Sequence, residues 1–526
     1  MNKENISKVY LLSVPLDSSY KNTLYFTSKA SQHSYFESVV KKSYTGFTYL
    51  RKDNQIYVPD HIDNIYDANY VMYQNTFYKD KWFYAFIKDM KYESDECTII
   101  EIETDVIQTW LFDYTVLPSF VEREHTNNDT IGLHTVPEGL ETGEYICNNK
   151  FEDSNGQQLL ICAALTDYAD SKMDVKGNLY GGVYSGMMYR VYGTESVGIT
   201  ELNKRINSYD DDAKADAINS LFMIPRWIYD KFKPDAVGLA VVEGTIPANN
   251  EAVGYTIPID KQTKLNGYTP RNKKLLTYPY NYVYASNNAG ASSIYHYELF
   301  SDDKCNFEVK GTVCPGCSIR MNPLNYKGEP INNDEGLNGG KYPICCWNSD
   351  TYTNWLTQNG VNIGLSLLSG AGQILAGAGM ASIPGIGLAI GGGSIAGGVS
   401  TITNTLAQVH QQSMVPDQVK GNTNCGDVIT GSKQNCFMFY QMSIKKEWAE
   451  RIDSYFDMFG YKVNTVKTPN KAHRSRYWYT KTIDANIDGS IPTNELEKIK
   501  NCYDNGITFW RNASEISRYD LSNGIV

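Results

Sequence analysis

Between Asp350 and Asp417 the chain carries no Asp, Glu, Lys or Arg, although 20% of its 526 residues are charged. The centre of this stretch, residues 360–410, is dominated by Gly, Ala, Ser, Leu and Ile, and it divides at Ile383-Pro384-Gly385, a turn signal. The flanking arms, 361–382 and 386–409, are each close to the ~20 residues a helix needs to cross ~30 Å of hydrocarbon. Gly360/Gly364, Gly387/Gly391 and Gly393/Gly397 have the small-xxx-small spacing that lets helices approach closely in lipid. The expected membrane-inserting side chains of the first arm are Val361, Ile363, Leu365, Leu367, Leu368, Ile374, Leu375 and Met380. Ile383 and Pro384 follow at the turn, then Ile386, Leu388, Ile390, Ile395 and Val399 in the second arm.

A glycine-rich loop, or a hairpin buried against a partner subunit, is the competing reading, since Gly costs a helix ~1 kcal/mol relative to Ala. Glycines also suit a segment that changes conformation. Resident spans carry basic flanks and aromatic belts. Here Trp355 precedes the apolar centre and the nearest basic residue after it is Lys420, a pattern of conditional insertion.

The length is enough for two to four domains. A net charge of -11 argues against wrapping duplex DNA on a basic surface and is compatible with a channel through which DNA slides. Forty tyrosines, with many Asn, Thr and Gly, favour strands and turns. The first residues, MNKENISKVYLLSVPLDSS, have too short an apolar core for a signal peptide, so synthesis in a cytoplasm is expected. Eleven cysteines form no disulfide framework by spacing. Cys314-Pro315-Gly316-Cys317 is followed by the adjacent pair Cys345-Cys346, which is not a zinc-ribbon pattern.

Short β runs are expected at 11–16, 46–50, 55–59, 70–73, 81–90 and 98–109. Ile99-Ile100-Glu101-Ile102-Glu103 approaches the alternation of a half-exposed strand. Residues 203–223 have the apolar spacing of a helix, and 437–442 read as a strand. An amphipathic helix is expected over 444–459, with Trp448, Ile452, Tyr455, Phe456 and Phe459 on one side and Gly460 as its stop. Strands at 461–466 and 477–482 and a helix near 494–502 complete a compact α+β end.

Enzyme signatures are absent. There is no GK[ST], no complete GxGxxG with its acidic partner and no HExxH, and neither a catalytic residue nor a cofactor is expected. Gly392-Gly393-Ser394-Ile395-Ala396 is a poor nucleophile elbow inside the apolar arm. Asp484-x-Asn486-x-Asp488-Gly489-x5-Glu495 satisfies the EF-hand loop pattern, but the preceding segment reads as a strand and Pro492 interrupts the exit. Lys462, Lys467, Lys471, Arg474, Arg476 and Lys481 are interleaved with Tyr477, Trp478 and Tyr479. Such a run holds nucleic acid or is a solvated or subunit-contact face.

Several segments in order carry a resemblance. They include Tyr20-Lys21-Asn22-Thr23, Met72-Tyr73-Gln74-Asn75 and Lys81-Trp82-Phe83-Tyr84-Ala85-Phe86. Glu103-Thr104-Asp105-Val106-Ile107-Gln108-Thr109-Trp110 and Phe120-Val121-Glu122-Arg123-Glu124-His125 follow. Near the end are Tyr461-Lys462-Val463-Asn464, Lys467-Thr468-Pro469-Asn470 and Asp504-Asn505-Gly506-Ile507-Thr508-Phe509-Trp510. Together they resemble the distal tail knob (tail tube) protein of phi29-like short-tailed phages of Gram-positive bacteria.

The resemblance implies a mainly β (α+β) chain in four parts. Residues 1–136 and 417–526 would form a β-rich tube domain, 137–349 an inserted knob, and 350–416 a hydrophobic membrane-active loop. It further implies a homohexamer in the virion, joined to other tail proteins, with double-stranded DNA passing through its lumen. The apolar loops would plug that lumen and then open a pore in the host cell membrane. A freestanding pore-forming toxin, or a purely structural tail or adhesion protein with a buried glycine-rich loop, are the alternatives.

Overall fold

The computed structural model describes residues 8–45, 49–50, 54–74, 81–154, 158–164, 179–180, 183–184, 188–208, 218–232, 244–245, 249–250, 252–311, 319–340, 342–346 and 436–526. The chain forms two compact units, one of residues 1–143, 268–275 and 446–526, the other of residues 144–267 and 276–445. Both are built mainly from strands.

The first unit contains a seven-stranded antiparallel sheet in the order Val40–Thr45, Lys8–Leu12, Tyr70–Gln74, Trp82–Ser94, Cys97–Thr104, Gln55–Val58 and Tyr49–Leu50. Alternation sets its faces. Ile100 and Ile102 are buried, whereas Ile99, Glu101 and Glu103 are half-buried. Val9, Leu11, Val71 and Ala85 join the same core, so each strand contributes its alternate residues to one apolar layer.

A second, five-stranded sheet brings the two ends of the sequence together. Its order is Asn22–Leu24, Ile507–Trp510, Tyr477–Ile483, Ser119–Glu124 and Tyr461–Lys467. Only the first pair is parallel. Trp510, completely buried, packs on Tyr477 with ring centroids 4.3 Å apart. The helices Lys446–Phe459 and Thr493–Asn505 flank this region in sequence. Gly460 ends the first with φ +64°, and a Cβ there would lie 2.1 Å from the Glu124 carbonyl oxygen.

The second unit contains a sheet of Tyr145–Ser154, Cys436–Ile444, Asn281–Ser286 and Ser292–Tyr295, and another of Gly244–Thr245, Met188–Gly193, Gln158–Ala164, Ile218–Pro225 and Ile344–Cys346. A third joins Val253–Asp260, Lys304–Gly311, Ile319–Tyr326 and Glu329–Ile331. One core runs beneath all three, with Ile161, Phe222, Phe307, Val309, Phe437 and Phe439 fully or almost fully buried.

Three expectations change, the first being the β run expected over 11–16, which lies instead at Lys8–Leu12. The β run expected over 98–109 ends at Thr104, and Val106–Trp110 is a short helix. The buried Asp105 is its N-cap, accepting from the Gln108 amide at 3.0 Å and from the Tyr70 hydroxyl at 2.9 Å. Gln108 Nε2 then donates to the Leu24 carbonyl at 2.7 Å, and Thr109 Oγ1 to the Tyr84 carbonyl at 3.0 Å. Polar tertiary bonds thus override the β propensity of Val106, Ile107 and Thr109. The helix expected over 203–223 is instead a helix at Ser196–Asn207 and a strand at Ile218–Pro225. Ile218 and Leu221 pair in register with Ala164 and Cys162. The glycine-rich candidates at 360–410 and Cys314 and Cys317 lie outside the described residues.

Burial pushes the Asp105 carboxyl up to about 6, above the ~3.9 of an unfolded chain. The folded state therefore holds the extra proton between these values, and stability falls as pH rises from about 4 through about 6. Asp105→Asn keeps an acceptor for the N-cap and removes the titration. Its unfolding free energy should fall less than the wild type's between pH 4 and 7, by about 3 kcal/mol, as checked by denaturant titration at each pH.

Candidate functional site

The nearest described strands before and after the charge-free segment both belong to the second unit. On its N-terminal side Ile344–Cys346 is a three-residue strand, paired among the described residues with Ser220, Leu221 and Phe222. The neighbouring Pro343 carbonyl accepts from the Met223 amide at 3.0 Å. On its C-terminal side Cys436–Ile444 lies inside its sheet, bonded to Tyr145–Ser154 on one edge and Asn281–Ser286 on the other. Phe437 and Phe439 are fully buried there. The proposed membrane-inserting residues themselves, Val361 to Val399, lie outside the described residues.

In the first unit, buried carboxylates hold the short segment 268–275 in place. Asp453, on the inner side of helix Lys446–Phe459 and fully buried, accepts from the Tyr268 hydroxyl at 2.7 Å and from the Arg271 and Asn272 amides at 2.8 and 3.0 Å. Asn272 Nδ2 donates to Asp453 at 2.8 Å and to Asp457, one turn on, at 2.7 Å. The Arg271 guanidinium reaches Asp457 at 2.6 Å. Burial, with the neighbouring Asp453 adding to it, pushes the Asp457 carboxyl up to about 6. The Glu138 side chain, closed off from solvent, takes both the Arg123 guanidinium and the Lys274 ammonium, and accepts from the Lys462 amide at 2.9 Å.

The run Phe120 to His125 feeds this arrangement residue by residue. Val121 is core, and Glu122 pairs with Lys481 at 2.7 Å. Arg123 donates to the Gly460 carbonyl at 2.8 Å. Glu124 accepts from the Asn470 amide and Nδ2, both at 2.9 Å. His125 Nδ1 accepts from the Tyr479 amide at 2.8 Å, so Nε2 carries the proton toward the Asp457 carbonyl at 2.9 Å. Burial and the nearby Arg474 charge depress its pKa to about 3, which keeps the ring neutral.

This network decides the reading of the basic run. Lys467 pairs with Glu124, Lys481 with Glu122 and Arg476 with Glu515, while Arg474 is buried and donates to the Thr126 carbonyl. Trp478 is 2% exposed and Tyr477 not at all. The run is mostly internal wiring, and Lys471 is its exposed exception. The EF-hand pattern is likewise taken up by the fold. Tyr477–Ile483 enters it as a strand, Ile487–Gly489 pairs with Tyr114–Val116, and Glu495 accepts from the Trp110 indole.

One face of the second sheet stays apolar and open. Val466, Phe120 and Ile483 lie side by side across three strands in register and are 68%, 37% and 54% exposed. Sequence reading missed the row because its members are distant in the chain.

The fold is that of the tail knob protein gp12 of bacteriophage C1, with a TM-score of 0.65 at 14% identity over 99% of this chain and 100% of that one. Residues 5–115 match the family described as the caudoviral major tail protein N-terminus. The architecture is therefore that of a tailed-phage tail protein. Residues 248–524 match the family described as the C-terminal domain of Bacillus phage phi29 tail knob protein gp9. Tail knob protein gp9 of Bacillus phage phi29 is 26% identical to this chain over 98% of it and 97% of the relative. The protein of the same name from Bacillus phage B103 is 24% identical with the same coverage. The chain belongs to the phi29 gp9 tail knob family, whose named members are structural proteins of the phage tail.

Asp453→Ala leaves two buried amides without an acceptor and should cost about 3–5 kcal/mol, the range for breaking a buried charged network. Amide hydrogen exchange over 268–275 should rise with it. Lys481→Ala, which removes a half-exposed pair, should change stability by less than about 1 kcal/mol.

Proposed function

We propose that this chain is the knob and tube subunit of a short-tailed phage. Six copies form a DNA-ejection conduit, their apolar segments close its lumen before infection, and the same segments enter the host membrane as a pore. The observation that carries this reading is the absence of Asp, Glu, Lys and Arg throughout 351–416 in a chain of the tail knob family. Among the described residues no helix is long and apolar enough to cross a membrane. The charge-free segment is the part whose composition suits lipid. Its two arms, as helices, would satisfy their own backbone hydrogen bonds in hydrocarbon, and six hairpins would line a passage.

Ring assembly needs a repeated heterologous contact, and the Val466–Phe120–Ile483 row is a surface suited to one. The net charge of -11 suits a conduit to which duplex DNA does not adhere. The partners are thus further copies of the chain, adjoining tail proteins, the passing DNA and the host membrane. A freestanding toxin is disfavoured by the near-complete span shared with tail knob proteins. A purely structural tail protein remains the rival, and it differs in predicting no action on lipid.

The assembled protein should release dye from liposomes, and deletion of residues 360–410 should abolish release while leaving the ring visible by electron microscopy. Loss of folding on deletion would identify the segment as core and sink the pore. Leu367→Lys and Ile390→Lys should each raise the insertion cost by ~2.5–3.5 kcal/mol near the bilayer centre and suppress leakage. Phe120→Asp combined with Val466→Asp should shift native mass spectra from a hexamer to smaller species. The monomer's melting temperature should change little, because both sites are exposed.

A further inference from the structure

We propose that the first unit binds a single saccharide unit bearing a phosphate or carboxylate, in an aromatic cavity of about 220 Å³ that neither the fold nor the DNA conduit requires. Seven of its thirteen lining residues are aromatic. Trp478, 2% exposed, lines it with Tyr25 edge-on at 4.9 Å and Phe509 stacked at 5.5 Å, together with the half-buried Phe26, Phe112 and Tyr114.

The walls are set in advance. Pro469 breaks the chain after strand Tyr461–Lys467, and Glu124, 1% exposed, holds the next residue by both its amide and its side chain. That bond fixes the rim that carries Lys471. Lys471 is exposed and, among the described residues, has neither an ion pair nor a hydrogen bond. It is the only charged residue of the lining, which contains no Asp or Glu. The remaining polar lining is led by the Thr27 and Thr480 hydroxyls and Asn470.

These features select the ligand. An unpaired ammonium in a lining without a carboxylate rejects cations and attracts an anion. Aromatic lining offers apolar surface to a ring, and the exposed Thr27 hydroxyl suits a ring that carries hydroxyls of its own. The volume admits one six-membered ring with its substituents and leaves little space for a peptide segment. Duplex DNA is excluded because its bases are stacked on one another and only its phosphates would reach Lys471. A pyranose bearing one anionic group satisfies all of these conditions.

The test is calorimetric titration of the full-length protein with glucose 1-phosphate and glucuronate, against glucose, inorganic phosphate and phenyl phosphate. Either anionic sugar should bind saturably and more tightly than glucose or phosphate alone. Lys471→Met should weaken that binding roughly tenfold to a hundredfold, the range for a lost charge-assisted bond. Thr27→Trp, at the exposed rim, should block entry without touching the core. Tighter binding of phenyl phosphate than of either sugar would make this a site for aromatic anions and overturn the proposal. So would the absence of binding by either sugar to folded protein. Loss of hexamer in Thr27→Trp with no sugar binding would identify the cavity as a socket for a second copy, which also overturns it.

Discussion

Buried carboxylates that accept backbone amides from distant parts of the chain are the constraint on which the first unit depends. The unit is assembled from three separate stretches of sequence. Apolar burial alone does not specify which stretch lies where, because hydrophobic contact is non-directional. Asp453, Glu138 and Glu124 supply direction. Each is shut off from solvent and each receives an amide N–H from a segment more than 180 residues away. An ionised carboxylate is costly to bury without partners, so each has a strong preference for the one arrangement that supplies all of its donors. The eight residues 268–275 have few apolar side chains of their own, and their position rests chiefly on these bonds.

The same logic explains what the sequence revealed and what it concealed. Helix Lys446–Phe459 was legible because Ile452 and Phe456 recur at helical spacing and Gly460 supplies a left-handed stop. The strand Cys97–Thr104 was legible from the alternation at 99–103, and Gln55–Val58 from its short run of strand-forming residues. Helix Val106–Trp110 was not, since its β-branched residues read as strand and its stabilising partners, Tyr70, Tyr84 and Leu24, are remote. The strand Ile218–Pro225 was concealed for the opposite reason. An alanine-rich approach favours helix locally, while pairing with Gln158–Ala164 decides the outcome. Propensity yields to tertiary context in both cases, in opposite directions.

The carboxylate network was almost invisible. Its donors and acceptors come from 120–138, 268–275 and 446–474, and no local pattern announces a pairing across such separations. The one hint was the charge density of Glu122-Arg123-Glu124-His125 within a strand that proves to be central. Alternating charges on an inner strand imply partners on both faces. The basic run 462–481 misled for the complementary reason, because its neutralising acids lie elsewhere in the chain.

The proposed membrane segment reverses this pattern, because it is legible by composition alone. A segment without charges has no ionic bonds to break on leaving its place and no ion to desolvate on entering lipid. Glycine weakens a helix in water, whereas in hydrocarbon no water competes for the backbone, so a glycine-rich helix gains on entering lipid. The two strands that bracket the segment add an asymmetry. Among the described residues, Cys436–Ile444 is bonded on both edges, whereas Ile344–Cys346 is paired on one edge by three residue pairs.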